Sequence, residues 1–294
     1  MIDWPPLVIA QLTLHEALRR RLLVAVAVLT LVLVGLTAWG FATLVSLPCR
    51  GGAPCSPIEV KALAATLLIL VMFMFSRAFA LGAVFVAVPT VATDVESGVA
   101  LAMLSRPIRR SDLLLGKWLG LATLVGGYAL ATSWAEFAAV GFLVGYSPPH
   151  PILAGLFLVA ESLVMLTLAL LCSTRLPPMT GGVVALLLFG LTWMGGIALQ
   201  VGAALETAAS SDKATIIRMV GEATSIILPA DGLWRGALYN LQPSLLAEAS
   251  TARMFALNPF FAQSPPPLPY LVWVAVWMVA VFGVAAWSFS RREI

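Results

Sequence analysis

The chain has 294 residues, of which 61% are hydrophobic and 11% charged, with a formal net charge of +3. A mean hydropathy of +0.99 excludes a soluble domain, and the small positive balance follows the ends of apolar runs, which argues against nucleic acid as a partner. Apolar runs of roughly 20 residues, long enough to cross hydrocarbon, occur at 22–45, 62–88, 113–144, 152–172, 180–201 and 270–289. They predict an all-α integral membrane protein, one transmembrane domain over 1–294 with six spans.

Residues 1–21 precede the first span. After Pro5 and Pro6, the apolar Leu7, Ile9, Leu12, Leu14 and Leu18, with Trp4, suit an amphipathic helix lying in the interface, with His15 and Glu16 on its solvated face. Arg19, Arg20 and Arg21 abut Leu22, and the run that follows is too long for a cleaved secretory signal. The first inter-span loop holds Cys49 and Cys55 around Gly51-Gly52. In an oxidising compartment they suit a small disulfide ring; free thiols and a metal site are the other readings, and no His or Met stands beside them.

The second run contains Arg77. A lone arginine there would cost on the order of 3 kcal/mol, so it needs a partner or a wet cavity. Counting helical rise, Arg77 lies roughly 22 Å and Glu161 roughly 14 Å from one membrane surface, and an arginine side chain can bridge the difference. Glu136 lies nearer that surface. Glu161 is thus the better match, either as a structural ion pair or as part of a substrate path. Pro89 is expected to bend the run where it leaves the membrane.

Residues 93–120 hold Asp94, Glu96, Arg106, Arg109, Arg110, Asp112 and Lys117, nearly a quarter of the chain's charged residues. Val95, Val99, Ala102 and Met103 fall at helical spacing, which predicts a short amphipathic helix over 94–104 ended by Pro107. An ordinary basic loop obeying topology rules is the alternative. Glu96-Ser97-Gly98, then Leu104-Ser105-Arg106-Pro107-Ile108, Arg110, and Leu114-Leu115-Gly116-Lys117 with Gly120 resemble the cytoplasmic loop of type-2 ABC exporter permeases. That family includes the permease of nitrous oxide reductase maturation. Val99 stands where the family has threonine, and Arg109 where it has serine. The resemblance implies that residues 93–112 form a cytoplasmic coupling loop, with Asp94, Glu96, Gly98, Leu104, Arg106, Pro107, Arg110 and Lys117 as ATPase-coupling residues. It also implies an N-terminal elbow helix.

Glycines recur through spans three to five, and Gly116-x-x-x-Gly120 and Gly141-x-x-x-Gly145 permit close helix approach. Cys172 reads as a small buried hydrophobe. Residues 202–269 form the longest inter-span segment. An amphipathic helix is expected over 205–227, with Ile216, Ile217, Val220, Thr224 and Ile227 on one face. Leu228-Pro229-Ala230-Asp231 and Arg235 resemble an Asn-Pro-x-Asp-x-x-Arg segment before the last span in the same permeases, with Leu228 replacing the asparagine and Arg235 one residue further on. Asp231 suits an N-cap. The segment, with Pro229, Asp231 and Arg235, reads as an extracytoplasmic helical cap that either gates the mouth or only covers the bundle.

Ten of the 17 Lys and Arg flank the spans on the side holding both termini. They predict a multi-pass protein of the cell (inner) membrane with both ends cytoplasmic. Gly116-Lys117 is not the end of a Walker A loop, since Trp118 stands where Ser or Thr is required and Ser111 where glycine is. No catalytic motif or nucleotide-binding motif is read in the chain, so it is not expected to be an enzyme and no cofactor is assigned to it. The resemblance implies an exporter permease working with a separate ABC ATPase, two copies of which hold ATP and Mg, and with a second permease, itself or a sister. Membrane lipids surround it; the cargo would suit a lipid-like or amphiphilic molecule. The alternatives are a stand-alone ion-coupled secondary transporter or channel, and a non-transporting membrane assembly factor.

Overall fold

Peptide N–H and C=O groups cannot stay unpaired in hydrocarbon, so apolar runs of this length fold as helices that satisfy them internally. The computed structural model describes residues 4–18, 21–46, 56–96, 109–208, 212–243, 260–262 and 264–291. Every regular element among these residues is a helix. They are α1 (Pro5–Leu18), α2 (Arg21–Ser46), α3 (Pro57–Glu96), α4 (Arg110–Val144), α5 (Pro151–Arg175), α6 (Pro178–Ala208), α7 (Asp212–Ile227), α8 (Asp231–Leu241) and α9 (Leu268–Ser290).

Six stretches are long and apolar enough to cross a membrane: Val24–Ser46, Pro57–Thr93, Arg110–Val144, Pro151–Arg175, Pro178–Ala203 and Leu268–Ser290. Each overlaps one predicted run. The centre of the bundle is α3 and α5, with 56% and 61% of their most apolar windows buried, whereas α2 has 6% and is peripheral. Apolar side chains fill the bundle in three layers. One holds Leu68, Met72, Phe79, Phe137 and Trp234; the middle one Val84, Leu121, Met165, Leu233 and Trp277; and one, at the end carrying α1, Ile9, Leu114, Leu170 and Phe289.

The 40 residues of α3 extend about 60 Å at 1.5 Å per residue, twice the thickness of the hydrocarbon. The helix continues through Pro89, where the sequence suggested a bend at the membrane exit. Proline removes one ladder donor and crowds the preceding turn. Its neighbours are satisfied from outside the helix. Ser173 Oγ on α5 accepts from Val91 N at 3.2 Å and Ala92 N at 3.1 Å and donates to Val88 O at 2.6 Å. The Lys117 ammonium on α4 donates to Thr90 O at 2.8 Å.

Contact between α1 and α4 depends on two glycines. A Cβ on Gly116 would sit 2.5 Å from Ile9 Cβ, and one on Gly120 would sit 2.7 Å from Ala10 O. Only hydrogen at these positions lets the helices touch. His15 and Glu16 are exposed, as expected of a solvated face.

The segment after α6 departs from the predicted cap. The predicted helix over 205–227 divides: α6 continues to Ala208 and α7 begins at Asp212. α7 then runs antiparallel along α6. Gly202 meets Arg218, Gly221 meets Leu199, and Gly195 meets Thr224. The small residues Ala214 and Gly221 face inward, while Ile216 and Ile227 are at least 60% exposed. Ile216 and Ile227 thus face away from the bundle. By the turn at Leu228–Ala230 the chain is level with Gly196, about 18 Å back from the end of α6 by helical rise.

Three side chains of α9 receive this turn: Tyr270 donates to Pro229 O, Trp273 to Ile226 O and Trp277 to Ile227 O. α8 then climbs back along α5, passing Phe157 at Gly236, and Tyr146 closes its end by donating to Leu241 O at 2.8 Å. The pair α7–α8 is therefore a hairpin inserted among α5, α6 and α9. Asp231 is the first helical residue of α8 and not its N-cap; Ala230 occupies that position without a side-chain cap. The Asp231 carboxylate is engaged elsewhere.

Candidate functional site

Two polar regions stand out in this apolar chain. The first is the end of the bundle that carries α1, where the charged 93–112 segment leaves α3 and enters α4. Asp94 and Glu96 fall in the last turn of α3, and the rest of the predicted helix over 94–104 lies outside the described residues. Gly98, Leu104, Arg106 and Pro107 lie outside the described residues, as do Arg19, Arg20, Cys49 and Cys55.

Arg109 is extended and precedes α4 without a side-chain cap. Arg110 Nη1 donates to Ser290 O at 3.2 Å, joining the start of α4 to the end of α9. Arg175 Nε donates to Ser288 Oγ at 2.7 Å, which ties the end of α5 to the same helix. Lys117 is buried at 6% exposure and reaches inward to α3. The ends of α3, α5 and α9, the start of α4 and the face of α1 are thereby joined. A displacement of the α3 terminus would reach α4 through Lys117 and α5 through Ser173.

The second region lies inside the bundle. Arg77 Nη2 donates to Glu161 Oε1 at 2.8 Å and to Ser76 Oγ at 3.0 Å, and Ser76 Oγ donates to Glu161 Oε2 at 2.6 Å. Glu161 is 1% exposed. Phe189, Phe73 and Trp234 surround the guanidinium, with ring centres 4.9, 5.1 and 5.8 Å from its carbon. Such faces attract a cation by their quadrupole. Arg77 Nε is buried without a hydrogen-bond partner. Glu136 takes no part in this pair. It is fully buried on α4 and meets Thr37 of α2, whose Oγ lies 2.8 Å from Oε1 and 3.0 Å from Oε2.

A further buried pair was not anticipated. Arg235 Nε donates to Asp231 Oδ2 at 2.6 Å, and Arg235 Nη2 donates to Gly196 O on α6. Asp231 is 5% exposed. Trp234, between the two in sequence, reaches the Arg77 guanidinium, so the α7–α8 hairpin carries one ion pair up to the other. The i, i+4 spacing of an acid and a base was the available signal; placing the segment over the bundle hid its meaning. Outside the spans, Arg218 bridges Glu206 and Glu222 at 2.8 Å each, and its hydrogen bond holds Glu206 below the ordinary carboxylate range. Cys172 is buried and unpaired, and no group of metal-ligating side chains is found among the described residues.

Six apolar spans around a buried charged core define a multi-pass helical membrane protein. No protein-family model matches the chain, and no curated protein is significantly similar to it.

Proposed function

We propose that the chain is the permease subunit of an ATP-driven ABC exporter, working by alternating access with a separate ATPase. The observation that carries this reading is the charged, proline-stopped segment over 93–120 between the second and third spans, with its family-like spacing. Its setting supports the reading. Hydrogen bonds from Lys117 and Ser173 join the end of α3 to α4 and α5. Closure of two ATPase subunits on ATP would push the segment and rock the spans as rigid bodies. The assembly would hold two permeases, this chain with itself or a sister, in the cell membrane with both termini cytoplasmic. Arg106, Arg109 and Arg110 would meet acidic side chains or lipid headgroups. The cargo would be lipid-like or amphiphilic.

The test is co-expression with the ATPase of the neighbouring reading frame, followed by co-purification and ATP turnover in lipid nanodiscs. The combined Glu96→Ala and Gly98→Pro variant is expected to lose the complex or its coupling while remaining folded in the membrane. If the wild-type chain never retains an ATPase, the segment is only a topological anchor. The secondary-transporter reading, favoured by the buried Arg77–Glu161 pair, would then take its place.

A further inference from the structure

α2 touches the bundle mainly along α4, and among the described residues two polar attachments join them. Thr30 Oγ meets Tyr128 OH, and two turns further along both helices Thr37 Oγ meets the Glu136 carboxyl. The proton count at the second contact is informative. Thr37 Oγ lies 2.9 Å from Val34 O as well as 2.8 and 3.0 Å from the two carboxyl oxygens. A hydroxyl owns one proton. If Glu136 were a carboxylate, that single proton would have to serve three acceptor oxygens around a charge buried without a cation. With the proton on Glu136, the acid donates to Thr37 Oγ and Thr37 donates to Val34 O, so both protons have acceptors.

Among the described residues, no neighbouring charge favours the ionised form. α2 carries no ionisable residue between Leu22 and Ser46. On α3, Lys61 is exposed near the helix start and Arg77 is engaged by Glu161. On α5, Glu161 is held by Ser76 and Arg77, and Arg175 lies at the opposite end on Ser288. Tyr128 is bound to Thr30, Tyr146 donates to Leu241 O, and Tyr270 of α9 donates to Pro229 O. The contrast with Glu161 is chemical: one buried carboxyl has a guanidinium and a hydroxyl donor, the other a hydroxyl already committed to its own helix.

We propose that Glu136 is a membrane-embedded proton-binding site, a neutral carboxylic acid that fastens α2 to α4. Releasing its proton creates a charge that the closed seam cannot solvate, so proton loss and separation of α2 from α4 are linked. This site is independent of any ATPase partner, and its failure would leave the exporter reading untouched.

Infrared spectroscopy of the full chain in lipid nanodiscs at neutral pH tests it. The carbonyl band of a protonated acid is expected in the wild type and in Glu161→Gln, and is expected to vanish in Glu136→Gln. A wild-type spectrum without that band, or one that Glu136→Gln leaves unchanged, overturns the proposal. Stability gives a second readout. The glutamine amide can donate to Thr37 as the neutral acid does, so Glu136→Gln should keep the wild-type unfolding midpoint while Glu136→Ala lowers it. A glutamine variant as destabilised as the alanine one would also refute a neutral clasp.

Discussion

Replacing Glu161 by leucine removes the only carboxylate that meets Arg77 among the described residues. Glu161 is 1% exposed and the Arg77 side chain 15% exposed, so water cannot take over the lost contact. Breaking a buried pair by deleting one partner typically costs about 3–5 kcal/mol, because the other charge is left behind. Arg77 would retain Ser76 and its three aromatic neighbours, each worth roughly 0.5–1 kcal/mol to the cation. The lower end, about 3 kcal/mol, is therefore expected for Glu161→Leu. Combining it with Arg77→Met removes both charges and leaves apolar side chains of similar length among Phe73, Phe189 and Trp234. Such whole-pair replacements are often neutral, so the double variant should recover to within about 1 kcal/mol of wild type and be more stable than either single variant. Reversible unfolding of the four proteins in mixed detergent measures the cycle. A Glu161→Leu protein as stable as wild type, or a double variant as damaged as the sum of the two singles, would show that the pair does not hold the core.

Gly116→Val should lift α1 from α4, since the new side chain would meet Ile9 and Pro6 O within 3 Å; overpacking of this kind costs about 1–3 kcal/mol. Limited proteolysis is expected to cut within α1 in the variant and not in the wild type. Arg218→Ala should raise the titration of Glu206 toward the ordinary carboxylate range, read by carbon NMR of the labelled side chain, because the Arg218 hydrogen bond is the main cause of its lowered value. The sign follows from a folded-state value below the unfolded one. The stabilisation is present above the ordinary carboxylate range and disappears as pH falls through the lowered value.

Much of the fold is legible in the chain because hydrocarbon allows so few solutions. A run of some 20 apolar residues must be a helix whatever it touches, so the six spans could be placed from composition and length. The same reasoning required a carboxylate for Arg77, and helical rise alone favoured Glu161 over Glu136. Glycine spacing at Gly116 and Gly120 announced a close approach without naming the helix that makes it. The 93–112 segment was legible as a charged motif, and its function still rests on that motif.

What the tertiary structure decided concerns pairs of distant residues. Ser173 on α5 satisfies the backbone around Pro89, 84 positions earlier in the chain, and nothing in either local sequence announces the match. The α7–α8 segment is amphipathic in its own right, which fits an interfacial cap as well as an inserted hairpin. Its glycines facing α6, and the α9 aromatics that receive its turn, select insertion. Insertion in turn converts Asp231 and Arg235 from surface charges into a buried pair beside Arg77. Sequence determines which segments must leave water, because that is a property of each segment alone; their partners inside the bundle depend on geometry that only the packed helices supply.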